Sequence, residues 1–186
     1  MERISKRKWF RGLALALVVA ISGFALAACG ASHHEKEGIV EGEAVALGDL
    51  QYNVLFTRPL NINDVEDAEY LVDKREAPAD KIWVGVFVKV HNLSDEKSHQ
   101  IPESFEIETT SGKRYKNVPS ESIYALETGA TIEPEGNLPE IDSTAQVGPI
   151  QASMLLYLMD RDSTEERPVK LIIEGEDGPA TVDLDL

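Results

Sequence analysis

The sequence predicts an all-β sandwich of about seven or eight short antiparallel strands, and three observations lead there. Apolar residues alternate with polar ones at a period of two in run after run. Turn residues, chiefly Gly, Pro, Asn and Asp, separate the runs. No stretch carries the 3.6-residue apolar period of a long amphipathic helix, so an α/β arrangement is disfavoured.

The first run places Leu50, Tyr52, Val54 and Phe56 on one side and Gln51 and Asn53 on the other, a half-buried strand that Arg58-Pro59 should stop. Residues 61–80 are acidic and weakly periodic, and read as loop with at most a helical turn around Val65 to Leu71. Lys81 to His91 is the strongest strand. Ile82, Val84, Val86, Val88 and Val90 face one way, Trp83, Gly85 and Phe87 the other. A strand apolar on both faces belongs in the middle of a sheet, which makes Trp83 and Phe87 core residues rather than a binding patch. Asn92-Leu93-Ser94-Asp95 then supplies a turn.

Phe105, Ile107 and Thr109 alternate up to Ser111-Gly112, with Tyr115 and Val118 beyond, which predicts a hairpin around a glycine turn. Another strand is expected within Ser122 to Ile132, ended by Pro134-Glu135-Gly136, and residues 137–148 are polar. Ile150, Ala152, Met154, Leu156 and Leu158 alternate with Ser153, Leu155 and Tyr157. After an acidic loop from Asp160 to Glu166, Pro168 sits where a strand begins and its missing N–H matters least. Val169, Leu171 and Ile173 form that strand; Glu174 to Pro179 turns; Val182, Leu184 and Leu186 close the pattern.

This order of words carries a family likeness. Leu47-Gly48-Asp49-Leu50-Gln51-Tyr52, then Val88-Lys89-Val90-His91-Asn92-Leu93-Ser94-Asp95, then Phe105-Glu106-Ile107 before Ser111-Gly112-Lys113-Arg114-Tyr115, resembles the immunoglobulin-like lipoprotein domains of unknown function. Those domains are related to the secreted immunoprotective antigen of mycobacteria. The likeness spans roughly residues 44–186 and departs around Gly136 to Pro149, which is longer and more polar. It implies an immunoglobulin-like sandwich and an exported location, and it carries over no catalytic residues.

Ahead of this domain, Arg3, Lys6, Arg7, Lys8 and Arg11 precede a stretch without charge from Gly12 through Cys29, the pattern of an export signal. The 17 residues from Gly12 to Ala28 are short of the roughly 20 that span a bilayer. Leu26-Ala27-Ala28-Cys29 resembles the lipobox of bacterial lipoproteins, where Leu26, Ala27 and Ala28 would be recognised by the signal peptidase. The resemblance implies that Cys29 becomes the mature N-terminus with a diacylglyceryl group on its sulfur. As the only cysteine, Cys29 has no intramolecular disulfide partner. Ser5-Lys6-Arg7-Lys8-Trp9-Phe10 also resembles a weakened twin-arginine signal with Lys6 in place of the first arginine, although plain Sec export is the commoner meaning. Residues 1–28 thus read as signal peptide, 29–44 as the lipidated N-terminus and flexible linker, and 45–186 as the domain. The expected location is the extracytoplasmic face of a bacterial membrane, at the cell surface or in the periplasm.

Without residues 1–28 the chain has 13 basic and 32 acidic residues, a formal charge of −19 over 158 residues. Nucleic acid is excluded as a partner, because its binding needs basic side chains to neutralise phosphates. An electrostatic grip on anionic lipid is excluded for the same reason. A lipid anchor would hold regardless, since two acyl chains contribute on the order of 20 kcal/mol of insertion.

Candidate sites are few. His33-His34-Glu35 could contribute metal ligands but lies in a flexible stretch without fixed geometry, and reads as solvated linker. Asn61, Asn63, Asp64, Glu66 and Asp67 offer hard oxygens, as do Asp160, Asp162 and Glu165, yet neither group has EF-hand spacing. No G-x-S-x-G elbow, H-E-x-x-H helix, S-x-x-K pair or P-loop is present. His91 and His99 are the only histidines of the domain, and Asn92-Leu93-Ser94 matches a glycosylation sequon more simply explained as a turn. No catalytic residue, metal site or cofactor is therefore expected. The leading expectation is a membrane-anchored, non-enzymatic interaction module that takes a protein or small-molecule ligand at its loops or a sheet edge. A calcium- or divalent-metal-responsive envelope protein is the first alternative, and an enzyme whose site has no local motif the second.

Overall fold

β4 (Lys81–Asn92) is the spine of the molecule, as its two apolar faces require. In the computed structural model, which describes residues 35–186, it pairs antiparallel with β3 (Leu50–Leu60) on one side and β10 (Ser153–Asp160) on the other. β9 (Asn137–Leu138) continues the β10 side at Val90 and His91, and β2 (Ala44–Leu47) pairs with the far side of β3. This is sheet B.

Sheet A runs in the order β1 (Lys36–Val40), β12 (Ala180–Leu184), β11 (Val169–Ile173), β6 (Glu106–Glu108), β7 (Arg114–Lys116). β5 (His99–Gln100) and β8 (Thr131–Ile132) form a separate two-stranded ribbon. Three one-turn helices complete the set: α1 (Val65–Ala68), α2 (Thr144–Val147) and a 3₁₀ turn over Arg161–Glu165.

The sandwich core lies between the sheets, where Val84, Val86, Val88 and Val90 of β4 meet Val169, Leu171, Ile173 and Val182 of sheet A. β-Branched side chains dominate because their stiff χ1 suits a pleated, close-packed surface. Tyr52 and Phe105 meet edge to face across the layers with centroids 6.3 Å apart. A second core covers the opposite face of sheet B, made by Leu60, Tyr70, Leu71, Trp83, Phe87, Tyr124, Met154 and Leu156. The alternation of β10 serves both: Leu155, Tyr157 and Met159 enter the first core, Met154 and Leu156 the second.

The all-β sandwich is as expected, with four differences in detail. Twelve strands are present among the described residues rather than seven or eight, because pieces of two to five residues carry too little periodicity to register. β3 does not stop at Arg58-Pro59: a bulge at Leu55 moves the register from Val54 opposite Val88 to Phe56 opposite Phe87. Phe56 thereby leaves the face of Tyr52 and Val54 and stacks on Phe87 at 4.7 Å. Pro59 is tolerated because β3 has only β4 as a neighbour there.

Of the 29–44 stretch read as flexible linker, Lys36–Val40 form β1, parallel to β12 and opened by a hydrogen bond from the Lys36 N–H to the Pro179 carbonyl at 3.0 Å. Backbone pairing to an open edge holds it, with Ile39 as its single contact to the core, so apolar spacing does not report it. Within Ser122 to Ile132 only Thr131–Ile132 is strand. The segment wraps across the edge of β10, with Tyr124 in the second core and Leu126 in the first.

The Glu174–Pro179 turn leans so closely on β2 that a Cβ on Gly175 would lie 2.6 Å from the Leu47 Cβ. Gly175→Ala is therefore expected to cost about 1–3 kcal/mol by overpacking, read as a lower urea midpoint at unchanged slope.

Candidate functional site

Cys29, its neighbours Leu26, Ala27 and Ala28, and His33 and His34 lie outside the described residues. Of the sites singled out within the domain, Asn61, Asp64, Asp67, Asn92 and Asp160 are engaged in holding it together. Asp67 is buried in α1, where its carboxylate accepts from the Asn61 N–H at 2.8 Å and pairs with the Arg58 guanidinium. Asp64 caps the same helix through the Glu66 N–H at 2.8 Å, and the Asn61 side chain accepts from the Asn63 N–H at 3.0 Å. Three of the five side chains that suggested a calcium loop, Asn61, Asp64 and Asp67, are thus spent on local donors.

Asp160 is similarly occupied, accepting from the Tyr115 hydroxyl at 2.9 Å and pairing with Lys81 at 3.3 Å and with Lys113. Among the described residues no three His, Cys, Asp or Glu side chains converge on a metal position. Asn92 of the sequon is fully buried. Its amide donates to the carbonyls of Lys97, Ile132 and Glu133 at 2.7–3.0 Å, and its oxygen accepts from the Ser94 N–H at 3.0 Å. It is a clip that closes the 92–97 turn onto the strand leading into β9, inaccessible to a sugar.

His91 Nδ1 approaches the Gly136 carbonyl at 3.1 Å. His99 Nε2 lies 3.1 Å from Asp49 Oδ2 but out of line for a hydrogen bond. His99 lines a groove of about 440 Å³ at one end of the sandwich, floored by Leu47, Leu50, Tyr52 and Ile101 and rimmed by Glu103, Glu174 and Glu176. Burial pushes the Tyr52 phenol up, and burial together with the field of Glu106 does the same at Tyr157. Both phenols stay neutral and neither is poised as a base.

The free sheet edges are blunted. β1 presents Lys36 and Glu37, β7 is three residues long with Arg114 and Lys116 paired to Glu106 and Glu108, and Lys36 Nζ covers the Ala46 carbonyl of β2. Charge and shortness are what keep an edge from recruiting a further strand.

The loops on the outer face of sheet B differ. Three connections, 61–80, 118–128 and 139–152, lie over the second core as a cap and are bound to one another. The Ser122 hydroxyl donates to the Glu69 carbonyl at 2.7 Å, the Tyr124 hydroxyl to the Glu69 carboxylate at 3.1 Å, and the rings of Tyr70 and Tyr124 sit 4.9 Å apart. Burial first, then Glu69, raises the Tyr124 phenol, which keeps its proton for that bond. A Cβ on Gly148 after α2 would lie 3.4 Å from the Tyr124 ring, so the third connection closes on the second.

On this cap Val65, Val72, Ile123, Ile141 and Val147 are 44–87% exposed; only Val40 and Leu93 are comparable apolar exposures elsewhere among the described residues. Sequence reasoning missed this patch, because no local period marks it. Isolated apolar residues in three acidic loops give no signal until folding brings the loops together.

The architecture defines a class: a two-sheet β-sandwich whose second sheet is covered by loops. Within that class the chain is similar in fold to an uncharacterized β-sandwich protein from Clostridium difficile, at a TM-score of 0.50 and 11% identity over 82% of this chain and 95% of that one. The yjhA protein from Bacillus subtilis aligns at 0.49 and 13% identity, covering 80% and 100%. The secreted protein MPT63 from Mycobacterium tuberculosis aligns at 0.49 and 13%, covering 82% and 99%. No protein-family model matches the chain, and no curated protein does.

Proposed function

We propose that the chain is a bacterial lipoprotein whose Cys29 lipid tethers a non-enzymatic β-sandwich outside the cytoplasm, and that the sandwich binds a partner through its loops. The observation that carries the binding role is the cap: apolar side chains held out to solvent on loops that hydrogen bonds and ring packing fix in place. Exposed apolar residues gathered on one rigid face mark interaction surfaces more often than they mark accident. The polar groups that chemistry would draw on are committed to structure, Asp67, Asn92 and Asp160 foremost.

The tether rests on the charge-free run ending in Leu26-Ala27-Ala28-Cys29. Intact mass of chain recovered from membranes should show a mature N-terminus at Cys29 carrying a thioether-linked diacylglyceryl group. Cys29→Ser should abolish that mass and leave the leader attached. An unmodified thiol in cytosolic material would overturn the location, and turnover of any substrate by the purified chain would overturn the non-enzymatic role.

A further inference from the structure

We propose that the cap over sheet B docks a protein segment that presents basic and apolar side chains together. This rests on reading the chain as an interaction module and adds the chemistry of its partner.

Contiguity comes first. Val72 adjoins Asp73, whose carboxylate accepts from the Glu121 N–H at 3.4 Å. Ile123 sits between Ser122 and Tyr124, the two residues bonded to Glu69. Val147 adjoins Gly148, which is packed against the Tyr124 ring. Three exposed aliphatic side chains from three connections therefore belong to one patch.

Charge selects the occupant. The 61–80 connection carries seven acidic residues, and 118–128 and 139–152 two each, against Lys74 and Arg75 within them and Arg58 of β3, which pairs with Asp67 and lies over the Tyr70 ring. Lys74 is already paired with Asp73 at 2.6 Å. An apolar patch inside an acidic surround attracts a ligand that brings cations around an aliphatic face, and it steers that ligand from a distance. A second copy of this chain would set acid against acid. An anionic lipid surface meets the same repulsion. A cationic amphipathic segment of a partner protein satisfies both features.

The test uses the full chain in phosphatidylcholine nanodiscs, with empty discs as blank, titrated with a labelled amphipathic lysine–leucine peptide. Its glutamate–leucine counterpart serves as the competitor of opposite charge, and phosphatidylglycerol vesicles are offered to the chain separately, without peptide. The lysine peptide should bind, and weaken about tenfold between about 50 mM and about 500 mM salt as the Debye length shrinks. The double variant Ile123→Ser, Val147→Ser should weaken it about tenfold more, through lost apolar contact. Val40→Ser with Leu93→Ser, equally exposed but off the cap, should leave it unchanged.

Equal binding of the glutamate peptide, binding of the anionic vesicles by the parent chain that the Ile123 and Val147 changes remove, indifference of peptide binding to those changes, or no peptide binding at all would each overturn the proposal. The mass measurement at Cys29 reads the tether without any peptide, so a failed titration beside an acylated Cys29 strikes the docking at the cap and leaves the tether standing.

Discussion

Replacing Asn92 with aspartate is expected to lower stability by about 3 kcal/mol while changing almost no volume. In the native chain the carboxamide places its two hydrogens among the carbonyls of Lys97, Ile132 and Glu133, and accepts from the Ser94 N–H. Aspartate keeps the acceptor and turns the donor into an oxygen facing three others at 2.7–3.0 Å, in a site without solvent. The Lys97 and Ile132 carbonyls lose the Asn92 donor, the Glu133 carbonyl is left with the Gly136 N–H, and a charge is buried among negative dipoles. Such surroundings raise the folded pKa of the new carboxyl, so the deficit grows as pH rises through the unfolded aspartate range, and is smaller in acid, where the proton restores one donor. Urea titrations at neutral and acid pH check both size and sign. A midpoint unchanged from the parent at neutral pH would mean that this clip contributes nothing.

Phe87→Ala is expected to cost about 4 kcal/mol, in the range for emptying a buried aromatic site. Phe87 is fully buried on the outer face of β4, stacked on Phe56 at 4.7 Å and edge-on to Tyr70 at 5.3 Å. Tyr70 in turn leans on Tyr124, so one ring joins the sheet to two of the three connections above it. The consequence reaches past overall stability. Amides of 61–80 and 118–128 should exchange with solvent faster than those of β11 and β12, which belong to the other sheet. Uniform acceleration across both sheets would show that the cap is not a separable layer.

Much of the fold is written in alternation. β4, β10 and β11 are legible because each carries at least three apolar residues at a fixed parity, and burial on both faces of β4 follows from Trp83, Gly85 and Phe87 lying opposite the valines. What escapes is whatever depends on partners distant in the chain. The bulge at Leu55 reverses the parity of everything after it, and nothing around Leu55 announces the extra residue. β1 exists because β12 has an edge to offer, a property of residues about 140 positions away. The site follows the same rule. That Asn92 is a turn residue is readable from Asn-Leu-Ser-Asp. That Val72, Ile123 and Val147 share a patch is not, because their proximity is made by Glu69 and Tyr124 reaching across.

The position of β1 has a mechanical side. Chain preceding the domain enters it at Lys36, so any pull arriving along that chain falls first on the bond between the Lys36 N–H and the Pro179 carbonyl. The strand's few bonds to β12 would peel in succession, starting from that end, and Ile39 would leave the first core with them, before β4 or the second core felt the load. At ~3.3–3.6 Å per residue, releasing the strand's five residues would pay out about 17 Å of slack. β1 would then act as a fuse that yields under tension and rezips when the tension is gone, leaving the cap undisturbed.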